Sequence, residues 1–132
     1  MSDVVITDNS AAVLEEMEHK KAAALEAIGI TAEGFAKKKA PVRDGALRQS
    51  ITHTVRGDDV YIGTNLPYAV YQELGSGIYA DDKKGRKTPW AYKDNKGVWH
   101  NTRGVKPKHF LRDAAAKHNE EYTEIIKKFL KE

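Results

Sequence analysis

The side chains in this chain that could carry acid–base, metal or nucleophilic chemistry are scattered along it. The five histidines are His19, His53, His100, His109 and His118. None forms a His-x-x-x-His pair, and His109 and His118, nine residues apart, face different directions if they share a helix. A metal site would have to be assembled from separate elements. Ser50 and Ser76 have the most suggestive neighbourhoods among the serines, yet neither sits in a Gly-x-Ser-x-Gly elbow. No phosphate-cradling Gly-x-x-x-x-Gly-Lys loop or dinucleotide fingerprint occurs. Glu73 lies among apolar and aromatic residues with no second carboxylate or nucleophile at a defined spacing, so it reads as a structural partner for a basic residue. One patch suits an anionic polymer. Lys83, Lys84, Arg86 and Lys87 lie between Tyr79 and Trp90, combining phosphate attraction with faces on which bases stack. The same patch, beside Gly75 and Gly77, also reads as a solvated loop or as an arm that orders on a neighbouring subunit.

Bulk properties describe what has to position these residues. The 132 residues, 40% hydrophobic and 31% charged, fit one domain, 1–132, large enough to bury a core without staples. With no cysteine, disulfides and thiolate-bound zinc are excluded. No apolar run reaches the length of a membrane span, and the first residues lack the pattern of a signal peptide. The net charge of +3 is unevenly spread. Residues 1–36 carry two lysines against seven carboxylates, residues 37–112 carry sixteen basic against seven acidic side chains, and residues 113–132 carry four against five. The successive net charges are −5, +9 and −1. An acidic leading segment and a basic middle can attract one another between copies of the chain.

The patterning predicts an α+β domain. Residues 9–39 read as one long helix, with Leu14, Met17, Ala24, Leu25, Ile28, Ala32, Phe35 and Ala36 on one stripe. Asp8 or Ser10 caps its start, Gly29 marks a place for a bend, and Pro41 ends it at Ala40. Residues 47–56 alternate as a strand, with Leu47, Gln49, Ile51, His53 and Val55 on one face, and pair with 60–64 around the Gly57-Asp58-Asp59 turn. Pro67 opens a short helical turn from Tyr68 to Glu73. Residues 74–88 form a long loop, and 89–93 with 98–102 form a second hairpin around Asp94-Asn95-Lys96-Gly97. A last helix spans about 109–130. The expected architecture is therefore a small antiparallel sheet of about four strands, covered by a long N-terminal helix, a short middle helix and a C-terminal helix, with 1–8 loosely ordered.

Three punctuated segments occur in a fixed order within this scheme. In the first, Ala40, Pro41 and Gly45 precede Leu47, Arg48, Ser50 and Ile51. In the second, Gly63 and Thr64 precede Pro67, Tyr68, Ala69, Tyr71, Glu73, Gly75 and Gly77. In the third, Arg103 and Gly104 precede Pro107, Phe110, Leu111 and Ala114. Each reads as a junction between elements. In that order and spacing, across about 40–114, they resemble the tail-completion family of long-tailed phages, the gene-product-ten-like family of lambdoid siphophages. Asp44 stands where that family has a hydroxyl residue in its turn, and Asp113 where it often has proline.

The resemblance implies a structural virion protein without catalytic, metal or cofactor sites. It would be made in the bacterial cytoplasm and carried in the tail or neck. Such proteins are ring-forming subunits, often hexameric, at the head-proximal end of the tail. Their partners would be further copies, the tail tube or tail terminator, and neck or connector proteins, with transient DNA contact and no membrane. The assembly candidates are Glu15, Glu16 and Glu18 on the acidic helix and Tyr79, Lys83, Lys84, Arg86, Lys87 and Trp90 in the basic loop. Pro41 and Gly45 would turn the chain into the strand. Tyr68 and Tyr71 would anchor the short helix on the sheet, and Phe110 and Leu111 would pin the last helix. The rival readings are a small nucleic-acid-binding protein using the lysine loop, and a small hydrolase or nuclease built around His100 or His109.

Overall fold

A computed structural model describes residues 8–41, 45–94 and 96–131. The organising element is helix α1, Ser10–Lys39, about 45 Å long at 1.5 Å per residue. It starts where the Asp8 carboxylate accepts a hydrogen bond from the Ser10 N–H at 2.9 Å. It stops where Ala40 turns extended ahead of Pro41, with Lys37, Lys38 and Lys39 in the last turn opposing the helix dipole. No bend is needed at Gly29, because the helix is continuous through it. The glycine is required for space instead: a Cβ there would lie 2.5 Å from the His53 ring.

Only the second half of α1 is covered. Ala24, Ile28, Ala32 and Ala36 are buried, whereas every residue from Ser10 to His19 is exposed. Leu14 and Met17, read from their spacing as part of the core stripe, are 62% and 51% exposed. The stripe continues along the helix, but the body of the protein ends before it does.

The first hairpin begins later than alternation suggests. Residues Ala46–Ser50 form a short helix, α2, entered through Gly45 in the left-handed region at φ 79°. Leu47 and Ile51 are buried four residues apart, a spacing that one helical turn satisfies as well as a strand does. Strands β1 (Thr52–Arg56) and β2 (Asp59–Gly63) then pair antiparallel, with His53 opposite Ile62 and Val55 opposite Val60. The turn residues Val42, Arg43 and Asp44 lie outside the described residues, as do residues 1–7 of the segment expected to be loosely ordered.

Helix α3 (Ala69–Leu74) and a single 3-10 turn (Gly77–Tyr79) follow, then strands β3 (Trp90–Lys93) and β4 (Trp99–Thr102), which pair with each other. The four expected strands are thus two separate two-stranded sheets, because α3 and the loop after it carry the chain away from β1–β2. The expected C-terminal helix is likewise two helices, α4 (Phe110–Ala116) and α5 (Asn119–Lys131), parted at Lys117 and His118. That break lets the His118 ring stack on Phe35 of α1, with centroids 3.6 Å apart, and lets the Tyr122 hydroxyl donate back to the Ala114 carbonyl.

The core has two adjoining parts. Ala36, Ala40, Leu47, Ile51, Ala69, Phe110 and Ala114 form one, and Ile28, Ala32 and Tyr122 form the other, bridged by Phe35 and Ile62. Small side chains on α1 let α4, α5 and β1–β2 approach closely, so the packing is tight although few bulky residues are fully buried. Asp113 is 6% exposed and paired with Lys39 of α1, so it ties α4 to α1. No helix among the described residues is long and apolar enough to cross a membrane.

Candidate assembly surface

The second and third sequence motifs meet in space, through backbone. Lys108 N–H donates to the Gln72 carbonyl at 2.7 Å and His109 N–H to the Glu73 carbonyl at 3.3 Å. The Glu73 carboxylate then accepts from Leu111 N–H at 2.9 Å and Arg112 N–H at 2.8 Å. The expected basic partner of Glu73 is therefore the first turn of α4, whose N–H groups have no partner within the helix. This holds the end of α3 against the start of α4 and sets Phe110, fully buried, into the core.

Glycines allow the adjoining loops to cross. Ser76 N–H donates to the Val105 carbonyl at 2.9 Å and Ile78 N–H to the Arg103 carbonyl at 3.0 Å; Val105 N–H donates to the Ser76 hydroxyl at 3.0 Å. Gly77 has φ 60°, and a Cβ there would lie 1.9 Å from the Arg103 carbonyl oxygen. Gly104 has φ 130°, and its Cβ would lie 2.0 Å from the Ser76 carbonyl oxygen. The Gly-x-Gly and Arg-Gly elements of the two motifs are two sides of one crossing. Residues 74–88 are consequently not a free arm. The segment is folded back, with Asp81 N–H on the Leu74 carbonyl at 2.9 Å and Lys83 N–H on the Ala80 carbonyl at 3.0 Å.

This crossing forms the floor of an open groove of about 1060 Å³ between α3, the folded loop and the β3–β4 hairpin. Tyr71, Leu74, Trp90 and Tyr92 supply its apolar lining, and Lys84, Arg86, Asp81 and Asp82 its charged edge. The Arg86 guanidinium lies 5.6 Å from the Trp90 ring centroid, and Lys106 sits 5.7 Å over Tyr79. The expected anchors of α3 are Tyr68 and Tyr71. Both are exposed, and the buried contact is made by Ala69 between them. Lys83, at φ 59°, and Lys87 are tied to each other by a Lys87 Nζ bond to the Lys83 carbonyl at 3.0 Å. Lys84, Arg86 and Trp90 are therefore the loop candidates that share the groove. Val70, Leu74, Tyr92 and Val105 also line it and were not legible as a set, since three elements contribute them.

Glu15, Glu16 and Glu18 stand on the exposed end of α1, away from their own groove. Lys20 reaches Glu16 at 3.6 Å, and Lys21 reaches Glu18 at 3.2 Å and Asp58 at 2.8 Å. Glu15 has no such partner among the described residues, and exposed pairs of this kind contribute little.

Four of the five histidines, His53, His100, His109 and His118, lie against carboxylates of the scaffold. His53 bridges two α1 carboxylates, Glu26 at 2.6 Å and Glu33 at 3.1 Å. The bond to Glu26, then that to Glu33, raises its pKa above the ordinary histidine value. Burial works against the Glu33 charge, but bonds from His53 and Lys37 outweigh it and lower that pKa. The Glu26, Gly29 and Glu33 spacing on one helix face was the sequence signal for this seat. His100 Nε2 lies 2.7 Å from Asp94 Oδ2 and braces the β3–β4 turn. That bond, helped by the Val98 N–H, lowers the Asp94 pKa. His109 lies 3.4 Å from Asp81 and its Nδ1 is buried without a partner among the described residues. The described residues include no group of three or more His, Cys, Asp or Glu placed to hold a metal ion.

The fold and this surface define a small α+β module with two unpartnered apolar regions, one on the free end of α1 and one in the groove. Residues 6–75 match a family model described as "Bacteriophage HK97-gp10, putative tail-component". That is more than half of the chain, and the chain belongs to this HK97-gp10-like family. The match covers α1, the first motif, the second as far as Gly75, and α3; Gly77 and the third motif lie beyond it. No curated protein and no solved structure matches the chain significantly. The family supports a structural role in the phage tail, among other virion proteins.

Proposed function

We propose that this protein completes the tail at its head-proximal end, as a subunit of a ring in the neck that joins the tail to the filled capsid. The observation that carries the reading is the pair of dissimilar unpartnered surfaces on one chain. An exposed apolar helix end lies on one element and an aromatic groove on others. A ring requires such unlike patches, since each subunit must present one to the preceding copy and another to the next. Family membership supports the tail as the setting. The reading assigns no catalysis, metal or cofactor to the chain, and its partners are further copies, the tail tube or terminator, and connector proteins.

Nucleic-acid binding is the second reading, favoured by Arg86 over Trp90. It is weakened by Asp81 and Asp82, which share the groove and repel phosphate. Electron microscopy of particles from a phage lacking this gene tests the proposal. Filled heads separated from tails with abnormal head-proximal ends are expected. Normal joined virions would overturn it.

A further inference from the structure

We infer that the free end of α1 in one copy docks in the groove of the next copy, so that each subunit is both arm and socket. This rests on the reading of the chain as a self-assembling tail component. The arm comprises the exposed residues Ser10–His19, continuing the apolar stripe that Ala24 and Ile28 bury further along the same helix. Val13, Leu14 and Met17 lie on one side of it, each more than half exposed. A helix that carries its buried stripe past the end of its own domain leaves an apolar face that a second surface can cover.

The groove suits this occupant in size and charge. A helix roughly 10 Å across occupies about 420 Å³ per turn, so a groove of about 1060 Å³ accommodates about two and a half turns. Val13 to Met17, with the residues flanking them, span that length. Leu74 and Tyr71 offer apolar contact, being 47% and 56% exposed in the isolated chain. Lys84 and Arg86 make no ion pair with the described residues, and Glu15 on the arm is likewise unpaired, so the edge charges are available to each other. Asp81 and Asp82 stand on the same edge, and Lys20 and Lys21 at the base of the arm carry the complementary sign. The arm leaves the far end of α1, so the contact joins unlike patches. Passed from each copy to the next, that contact gives a ring or a filament; exchanged reciprocally between two copies, it would close a dimer.

A disulfide trap tests this, helped by the absence of native cysteine. The double variant Met17→Cys with Leu74→Cys is supplied in trans to a phage lacking the gene, and purified particles are oxidised and run without reductant. A ladder extending past the dimer is expected. Dimers alone would overturn passage from each copy to the next, and monomers alone from particles that contain the protein would overturn the arm-and-socket contact. Covalent trapping to a different tail protein would overturn the second copy as occupant. A charge exchange supplies a second readout at exposed positions that the fold tolerates. Glu15→Lys with Glu16→Lys should abolish plaque formation, as should Lys84→Glu with Arg86→Glu, and combining all four should restore it. Failure of the combination to restore plaques would also overturn the contact. Particles that still require the gene but show neither ladder nor rescue would leave the tail-completion role standing, whereas normal virions without the gene would remove that role itself.

Discussion

The Glu73 carboxylate gives the sharpest test of how the second and third motifs cooperate. Replacing it with alanine removes both acceptors from Leu111 N–H and Arg112 N–H, at 2.9 and 2.8 Å. Hydrogen bonds to a charged group contribute roughly 1.5–3 kcal/mol each. Arg112 is exposed, so water can replace that partner, and loss of a helix cap typically costs about 1–2 kcal/mol. The net cost of Glu73→Ala should therefore be about 2–3 kcal/mol. For a chain of this size that lowers Tm by about 6–12 °C. Glu73→Gln keeps one acceptor oxygen and should fall between the two. Thermal unfolding followed by circular dichroism measures the shift. Hydrogen exchange adds a local readout: the Leu111 and Arg112 amides should exchange faster in Glu73→Ala, while Lys108 and His109, held by backbone carbonyls, change less. An alanine variant melting within about 1 °C of the parent would refute the claim that this side chain anchors α4, since the predicted loss is several times larger.

Glycine substitutions should separate by location. Gly77→Ala and Gly104→Ala each drive a Cβ into a carbonyl at about 2 Å and should destabilise by several kcal/mol, on the order of 3 or more, because positive φ and a backbone clash act together. Gly34→Ala, with nothing within 4 Å, should stabilise the helix by about 0.5–1 kcal/mol; urea midpoints decide both. The His53 seat predicts a pH dependence. Its folded pKa lies above the unfolded value, so its contribution is complete below about 6.5 and is lost as pH rises through the folded value. Glu33, shifted down, contributes above its unfolded pKa and loses this as pH falls through its folded value. Denaturation from pH 6 to 9 should show a fall in stability that His53→Gln flattens. Finally, Lys39→Ala leaves the nearly buried Asp113 with only Lys117 at 3.4 Å and Arg112 at 3.9 Å. It should cost about 1–3 kcal/mol, and Asp113→Asn combined with it should recover part of that loss, as a double-mutant cycle would show.

The elements legible in the sequence are those whose signals are local. The period of Ala24 to Ala36, Pro41 after Ala40, and the Gly57-Asp58-Asp59 turn act within a few residues, and α1 and the β1–β2 hairpin followed from them. The three motifs were legible as junctions and as a family resemblance for the same reason, since glycine and proline constrain the backbone wherever they stand. Their partners were not legible. Gly77 and Gly104 are separated by a hairpin, and only the folded chain shows that each is small to admit the other. Spacing alone placed Leu14 and Met17 on the core stripe, because periodicity reports which face a residue occupies and not whether anything covers it. The alternation over 47–51 likewise suited a helical turn as well as a strand, and packing of Leu47 and Ile51 beneath Phe110 chose the turn. That the apolar stripe of α1 runs past its own core, and that α3, a folded loop and a hairpin join to make the groove, emerges only in the folded chain, because both depend on where distant elements end.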